Sequence, residues 1–455
     1  MVYKGQNILV LGAGISGVGA ARALCRAGAK VTLSDVHPLS AELTSALTAM
    51  GIRCVFGPQD SSLLANIRQA VVSPGIALDT PIVRMAAEAN IPLVAELEVA
   101  YQLADAPIYA ITGTNGKTTT TTLLGSMCDA AGCEHVVGGN IGSALSEDVA
   151  TVSEDGVVIA EVSSFQLETV HAFRPRVAAI SNITPDHFER HGSMESYVAA
   201  KSRIFENQTA DDVLILNRHD AYCRALAERA KSRIYWVGTD AAQDEGGYVR
   251  DGRLCLRIDG KEIPLVAVEE LQIHGAHNWL NALTAALMAY LAGVPVRVMQ
   301  GVLRVFSGLP HRVERVDVIN GVTYYDDSKA TNPDATIKAL EECGGRTIWI
   351  AGGHDKQTSI EELMATAEQS VQGAVFLGAA AARFATQADA AGLTQYVMAD
   401  SMEDAVMKAA ELAADSRADV VLFSPACSSF DMYRNYRERG RDFKRCVRQL
   451  DTVKS

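Results

Sequence analysis

Short apolar, β-rich runs recur along this chain with amphipathic stretches of helical period between them, and this alternation limits the possible folds more than any other feature. The runs are "NILVLG" (7–12), "KVTLSD" (30–35), "AVVSPG" (70–75), "PIYAITG" (107–113), "GVVIAEVSS" (156–164), "VAAISNI" (177–183) and "DVLILN" (212–217). They resume as "RTIWIAGG" (346–353), "GAVFLGAA" (373–380), "QYVMAD" (395–400) and "DVVLFSPA" (419–426). Strand, helix and strand in repeated order mark βαβ units and mostly parallel sheets. Residues 235–270 break the rhythm and read as short antiparallel strands with glycine-rich turns. At 455 residues the chain has room for three domains. Boundaries are expected after "ELEVAYQLADAP" and at "SGLPHR", giving domains 1–100, 101–308 and 309–455.

Composition narrows the class of function. The apolar fraction of 48% suits packed cores, and no window offers the apolar length of a membrane span. The N-terminus lacks the basic and apolar regions of a signal peptide, so a cytoplasmic protein is expected. Nine cysteines without a C-x-x-C pair argue against a disulfide framework and a thiolate zinc site. A net charge of −13 disfavours nucleic acid as a partner, so any phosphate must be met by specific donors.

Two glycine-rich loops supply such donors. Gly12, Gly14 and Gly17 form G-x-G-x-x-G between a strand and a helix, and Asp35 ends the next strand. This pattern fits a diphosphate-bearing ligand at a helix N-terminus, or a tight turn with no ligand. The second loop, "TGTNGKTTT", follows the strand at 107–112. Gly113 and Gly116 bend the backbone to present amides, Lys117 offsets phosphate charge, and the Thr118 hydroxyl suits Mg²⁺. It is shorter than a full Walker A, because Ile111 stands where the first glycine belongs. ATP is the natural ligand, and the fold expected is α/β: a Rossmann-like N-terminal domain, a central P-loop-type ATP-binding domain and a Rossmann-like C-terminal domain.

Other polar residues stand where packing gives them no reason to be. Glu161 closes an apolar strand, as a metal ligand or as half of a buried ion pair. Asp186, His187 and His191 lie in the loop after another strand. Lys201 shares a helix face with Val198 and Phe205. If that face is buried the amine loses charge and can form a metal-binding carbamate; spacing alone favours a snorkelling ammonium. In "GAHNWLNALTAALMAYLAG", Leu280, Leu283 and Leu287 face inward, with Asn278 and Asn281 on another face and Asn278 a possible N-cap. Asn332 and Pro333 read as N-cap and first helical residue. "AGGHDK" and "SPACSSF" suggest an anion pocket, with Lys356 as cation and a helix N-terminus at Ser429 and Phe430.

Taken together, "TGTNGKTTT", Glu161, "SNITPDHFERH", "YVAAKSRIFE", "GAHNWLNALTA", "LPHRVE", "DDSKATNPDAT" and "SPACSSFDMYRNYRERG" resemble the Mur ligases, ATP-dependent amide ligases of bacterial cell-wall synthesis. "SPG" at 73–75 and "DDSKATNPDAT" look most like the D-glutamate-adding branch. The resemblance implies that UDP-N-acetylmuramoyl-L-alanine is bound by Ile15, Ser16, Asp35, Ser73, Gly75, Asn140 and His187. Where some relatives carry Thr and Arg after the strand-end acid, this chain has Val36 and His37. ATP is implied at Gly113, Thr114, Asn115, Gly116, Lys117, Thr118, Thr119, Asn278, Asn281, His311, Arg312, Asp327 and Lys329. Ser328 and Thr331 would line the cleft. D-glutamate falls to Thr331, Lys356, Ser429 and Phe430, with either His354 or Asp355 at the family's acidic position. Two Mg²⁺ ions are implied at Thr118, Glu161, His187 and a carbamylated Lys201. Lys117, His187 and Lys201 would be catalytic, with His187 also the candidate base. A monomer without membrane or nucleic-acid partners is expected. A folylpolyglutamate synthase-like ligase would not need the first domain, and a nicotinamide-dependent dehydrogenase explains only that domain.

Overall fold

A computed structural model describes residues 3–240, 244–344 and 346–450. The chain forms two compact units, Met1–Ile183 with Arg190–Phe306, and Thr184–Glu189 with Ser307–Ser455. The first unit contains two sheets and the second contains one.

The first sheet has five parallel strands in the order Arg53–Phe56, Lys30–Asp35, Asn7–Leu11, Gln69–Val72 and Leu93–Ala95. Strand order reverses direction between Asn7–Leu11 and Gln69–Val72, which makes their C-terminal ends the switch point where open α/β sheets bind ligands. Gly12–Ile15 and Ser73–Gly75 follow those two strands.

The second sheet has nine strands: Lys261–Ala267, Arg253–Ile258, Gly246–Arg250, Arg233–Val237, Val213–Asn217, Val177–Ile180, Ile108–Thr112, Val157–Glu161 and His135–Gly139. Among the described residues antiparallel pairing in this sheet is confined to the 246–267 meander; Arg233–Val237 pairs in parallel on both sides, so the antiparallel reading of 235–270 holds only for its later part, and residues 241–243 of it lie outside the described residues. Ile108–Thr112 lies between Val177–Ile180 and Val157–Glu161. Three neighbouring strands thus deliver the second glycine loop, Glu161 and Ser181–Asn182 to one sheet edge. Helices Lys117–Ala131 and Ala276–Leu291 share a core with this sheet, where Leu283 and Leu287 are fully buried and Leu280 is partly so.

The two sheets of this unit are joined by buried acids. Glu98 accepts backbone N–H bonds from His171, Ala172 and Phe173, and Glu96 accepts one from Ser146 at 2.6 Å. Glu98, which meets three N–H groups, is satisfied without a counter-cation, whereas Glu96 has Oε2 without a hydrogen-bond partner among the described residues and burial raises its pKa.

In the second unit the sheet runs Glu314–Ile319, Val322–Asp326, Val420–Phe423, Thr347–Gly352, Val371–Leu377 and Tyr396–Ala399. Only the first hairpin is antiparallel. Asp327, Gly353 and Ser424 leave the C-terminal ends of three adjacent strands. Among the described residues no helix is long and apolar enough to cross a membrane.

Candidate active site

The N-terminal loop is built for close approach. A Cβ on Gly17 would meet Gly12 O at 1.8 Å, and Gly12 has φ +91°, so neither position accepts another residue without movement. Ser73 Oγ donates to Gly12 O at 3.2 Å, joining the two strand ends of the switch point. Asp35 uses both oxygens locally, accepting Ala13 N–H at 2.7 Å and His37 N–H at 2.9 Å. Ile15 is 72% exposed at the first turn of its helix, and Gly75 has open space around it. Ser16 follows Ile15 in the same turn.

The second loop is held from beneath by the neighbouring strand. Thr114 N–H donates to Asn182 O, Asn115 N–H to Asn182 Oδ1, and Asn182 Nδ2 to Asn115 O. Ser181 Oγ donates to the same Asn115 O at 2.5 Å. Gly116 adopts φ +84° and caps the helix that begins at Lys117. A Cβ there would lie 2.3 Å from Asn281 Oδ1. Asn281 is buried, accepts from Thr120 Oγ1 at 3.4 Å and donates to Asn278 Oδ1 at 3.2 Å. Asn278 is not an N-cap: Gly275 is, and Asn278 one turn later donates its amide to His274 O. Thr118 and Thr119 continue the first turn of the Lys117 helix, Thr119 buried.

Lys201 does not snorkel. It is 1% exposed, its Nζ donates to Gly113 O at 2.8 Å and lies 4.6 Å from the centroid of Tyr197. The loop lysine Lys117 donates to the same Gly113 O, and to Thr114 O, each at 2.8 Å. Two lysine amines therefore converge on one carbonyl, where two full positive charges would repel each other. Tyr197 also bonds Thr114 Oγ1 at 3.1 Å.

Glu161 is 1% exposed and, among the described residues, is not half of an ion pair. Its Oε1 accepts from Asn140 Nδ2 at 2.8 Å, while Oε2 has no hydrogen-bond partner among the described residues. A buried carboxylate oxygen left open is costly unless something electropositive meets it, and this one fits a divalent cation. His191 stacks on Phe165 and bonds Ser164 Oγ at 2.9 Å, a structural role.

The second unit holds the remaining residues. His187 has φ +55°, a conformation rarely adopted by non-glycine residues, and its ring faces Asp186 at 3.5 Å and Glu189 at 3.4 Å. Burial holds its pKa below the ordinary imidazole value; Asp186 and Glu189 oppose this and Lys356 adds to it. Asp186 accepts from Asn332 Nδ2 at 3.1 Å, and Lys356 Nζ lies 3.9 Å from its other oxygen. Asn332 also caps the helix starting at Pro333, accepting Ala335 N–H at 2.9 Å, as read from the sequence. Thr331 precedes it, half-buried.

Asp327 is buried, accepting Ser424 Oγ at 2.7 Å and Val313 N–H at 3.2 Å. Burial pushes its pKa up to about 7, against the Ser424 hydrogen bond and the charge of Arg312. Lys329 donates its N–H to His311 O and has its ammonium 5.6 Å from the Tyr436 ring. His311 Nδ1 bonds Asp326 at 2.7 Å. His311, Glu314 and Asp326 lie close enough to hold a metal, but Lys444 Nζ already sits 2.5 Å from Glu314 and 3.7 Å from Asp326.

The chain has no helix N-terminus at Ser429 and Phe430. Both lie in a turn closed by Met432 and Tyr433 N–H groups on Ser429 O, and the last helix starts at Tyr436. Ser429 is buried and Phe430 is 70% exposed. Asp355 is committed to Arg383, at 2.7 and 2.8 Å; burial raises its pKa, but the guanidinium outweighs this and holds it below the usual range. His354 is exposed and joins Ser428 through its backbone. Sequence reasoning missed Asn182, Tyr197 and Arg439. All three stood inside quoted motifs, the first two without a chemical signature and the third within a run of charges.

A loop of this kind on a mostly parallel central sheet, with an α/β sheet before it and another after it, fits the class of ATP-dependent ligase that the sequence resembles. The chain belongs to the Mur ligase family: residues 6–95 match the MurD-like N-terminal domain, 111–289 the Mur ligase middle domain, and 311–427 the Mur ligase glutamate ligase domain. Among similar proteins is the "UDP-N-acetylmuramoylalanine--D-glutamate ligase" of Thermoanaerobacter sp. (strain X514), 40% identical over 99% of this chain and 100% of the relative. The protein of the same name from Acidobacterium capsulatum is 43% identical over 98% of this chain and 97% of its own. The fold is shared with a pseudomurein peptide ligase type C from Methanothermus fervidus (TM-score 0.62, 19% identity, 98% and 100% of the two chains). It is shared also with UDP-N-acetylmuramate-alanine ligase MurC from Thermotoga maritima (TM-score 0.59, 18% identity, 98% and 99%).

Proposed function

We infer that this protein is an ADP-forming ligase that joins D-glutamate to UDP-N-acetylmuramoyl-L-alanine in peptidoglycan precursor synthesis. The observation that supports the chemistry best is the convergence of Lys117 and Lys201 on Gly113 O, with the open oxygen of Glu161 at the end of the neighbouring strand. The full-length likeness to D-glutamate ligases supports the choice of substrates.

In this reading the chain has three domains, 1–100, 101–308 and 309–455, and works as a monomer in the cytoplasm. The switch point holds UDP through Ile15, Ser16, Asp35, Ser73 and Gly75, with Asn140 and His187 nearer the reacting end. Gly113–Thr119 hold the ATP phosphates, Asn278 and Asn281 the adenine side, and His311, Arg312, Asp327 and Lys329 the nucleotide from the third domain. Two Mg²⁺ ions, held by Thr118, Glu161, His187 and carbamylated Lys201, would supply charge neutralisation.

The L-alanine carboxylate attacks the γ-phosphorus, ADP leaves, and Lys117 offsets charge on the transferred group. The amine of D-glutamate, held by Thr331, Lys356, Ser429 and Phe430, then attacks the acyl-phosphate carbonyl and expels phosphate. His187, besides its role as a metal ligand, is our candidate to take the amine's proton, and burial favours its neutral ring. The test is phosphate release from ATP with UDP-N-acetylmuramoyl-L-alanine and Mg²⁺, offering D-glutamate, L-glutamate, L-alanine or meso-diaminopimelate. Turnover with D-glutamate alone is expected. Turnover with another of the four would keep the ligase and refute the amino acid, and silence with all would refute the UDP-sugar assignment.

A further inference from the structure

Arg190 stands where the chain re-enters the first unit after Thr184–Glu189, the segment that carries His187. Its guanidinium forks onto Glu168, with Nε donating to Oε1 at 3.1 Å and Nη2 to Oε2 at 2.5 Å. Nη2 also donates to Ile76 O at 3.0 Å, and the guanidinium carbon lies 5.4 Å from the centre of the Phe165 ring. The two charged side chains are 18% and 14% exposed, so water competes little for this pair.

Glu168 is itself held. Its carbonyl accepts from Arg203 Nη1, and Val170 O accepts from Nη2 of the same arginine, each at 2.5 Å. Thr169 O, between them, accepts Ala95 N–H from the last strand of the first sheet at 3.0 Å. The acid under the fork is therefore fixed through its backbone as well as its carboxylate, and Arg190 is the arm that reaches from it to Ile76.

The position of Ile76 gives that arm its consequence. Its N–H donates to Ser73 O at 2.9 Å, closing the turn Ser73–Ile76 that follows the switch-point strand Gln69–Val72. A Cβ on Gly12 would lie 3.0 Å from Ile76 Cδ1 and 2.8 Å from Ser73 Cβ, so the Ile76 side chain packs against the first glycine loop. Ile76 thus belongs to one loop of the switch point and touches the other, and its carbonyl is gripped from the central domain.

We propose that Arg190 is a positioning residue for the UDP-substrate: from the central domain it holds the Ser73–Ile76 turn in the shape that receives the ligand, without touching the ligand. The inference rests on the assignment of the switch point to UDP-N-acetylmuramoyl-L-alanine made above. A turn that must be ordered at the moment of binding costs affinity, and a turn ordered beforehand avoids that cost. The planar guanidinium meets the carboxylate with two parallel bonds and still reaches the carbonyl; an ammonium, a point charge, does not reproduce that geometry.

The test compares full-length Arg190→Ala and Arg190→Lys with the parent protein by steady-state kinetics, varying each substrate in turn, with thermal melts to establish which variants fold. Arg190→Ala releases the turn and raises KM for UDP-N-acetylmuramoyl-L-alanine about 10- to 100-fold, with KM for ATP and for D-glutamate within about twofold of the parent. Arg190→Lys keeps a charge beside Glu168 without the fork, and an intermediate rise of about 3- to 10-fold is expected. Should Arg190→Ala not fold, because Glu168 is left without its partner, Arg190→Lys decides alone. A KM for the UDP-substrate unchanged in a folded variant overturns the proposal, and so does a rise of all KM values in step, which marks a loosened fold. Absence of turnover with this UDP-substrate in the parent overturns the underlying reading first, which separates the two failures.

Discussion

Replacing Asp327 by Asn is expected to make the protein more stable at alkaline pH while abolishing turnover. The carboxyl is buried, and its pKa is pushed from 3.8 up to about 7. Below about pH 4 it is protonated in folded and unfolded chains alike, and contributes no difference. Between 3.8 and about 7 the unfolded chain releases this proton and the folded one keeps it, so stability falls as pH rises; above 7 the cost is constant. At about 1.4 kcal/mol per pH unit the full gap sets a ceiling of about 4 kcal/mol, of which about 2–3 kcal/mol develops between pH 5 and pH 8.5. The amide can keep the local bonds: Oδ1 accepts Val313 N–H, Nδ2 donates to Ser424 Oγ, and that hydroxyl turns to Thr336, 3.0 Å away. Thermal melts of both proteins at the two pH values measure the effect. With about 2–4 °C per kcal/mol for a domain of this size, the variant's Tm advantage grows by roughly 5–10 °C from pH 5 to pH 8.5. A difference that does not change with pH would refute the raised pKa and the argument from burial.

Three other outcomes test the proposed roles. Lys201→Ala is expected to lose activity in part recoverable with formate or acetate, which replace a carbamate; full activity without rescue removes the role. Asn182→Ala frees Asn115 from its clamp, and the loss of two hydrogen bonds of about 1 kcal/mol each raises KM for ATP about 10- to 30-fold, leaving KM for the UDP-substrate unchanged. With His187 as proton acceptor, the acid limb of the kcat/KM profile lies below 6.5, its ordinary value, because burial favours the neutral ring. A limb at or above 6.5 that disappears in His187→Gln would contradict that direction.

Most strands were legible because apolar β-branched runs bounded by turns leave few alternatives. The strands not foreseen are those where this signal is weak. Arg53–Phe56 is an edge strand with no buried residue, Leu93–Ala95 has three residues, His135–Gly139 ends in two glycines at the opposite edge of its sheet, and Glu314–Ile319 is largely exposed. Site residues were legible where chemistry fixes both type and order, as in Lys117 and Thr118 after two glycines. Depth was not legible. Spacing put Lys201 on a helix face without saying whether that face ends at water, and the structure places its ammonium on Gly113 O. The helix start expected at Ser429 and the N-cap alternative at Asn278 fail for a related reason, although the cap at Asn332 holds: Gly275 and the turn at 429–433 decide where the backbone becomes helical.

Arg439 shows how such a residue can be found. Its segment, "YRNYRERGRDFKR", reads as a solvated face, since charged runs usually are. The discordant residue is Gly440, because glycine inside a helix costs about 1 kcal/mol relative to alanine. That cost is tolerated where a side chain would collide, and here a Cβ would strike His311 Nδ1 and Ser328 Oγ. The glycine marks the contact face but not which neighbour enters it: of the two arginines that flank it, Arg439 is buried and Arg441 is exposed, because successive helical residues point about 100° apart. The sequence therefore shows where the helix is closely packed, and only the fold shows which charge goes with it.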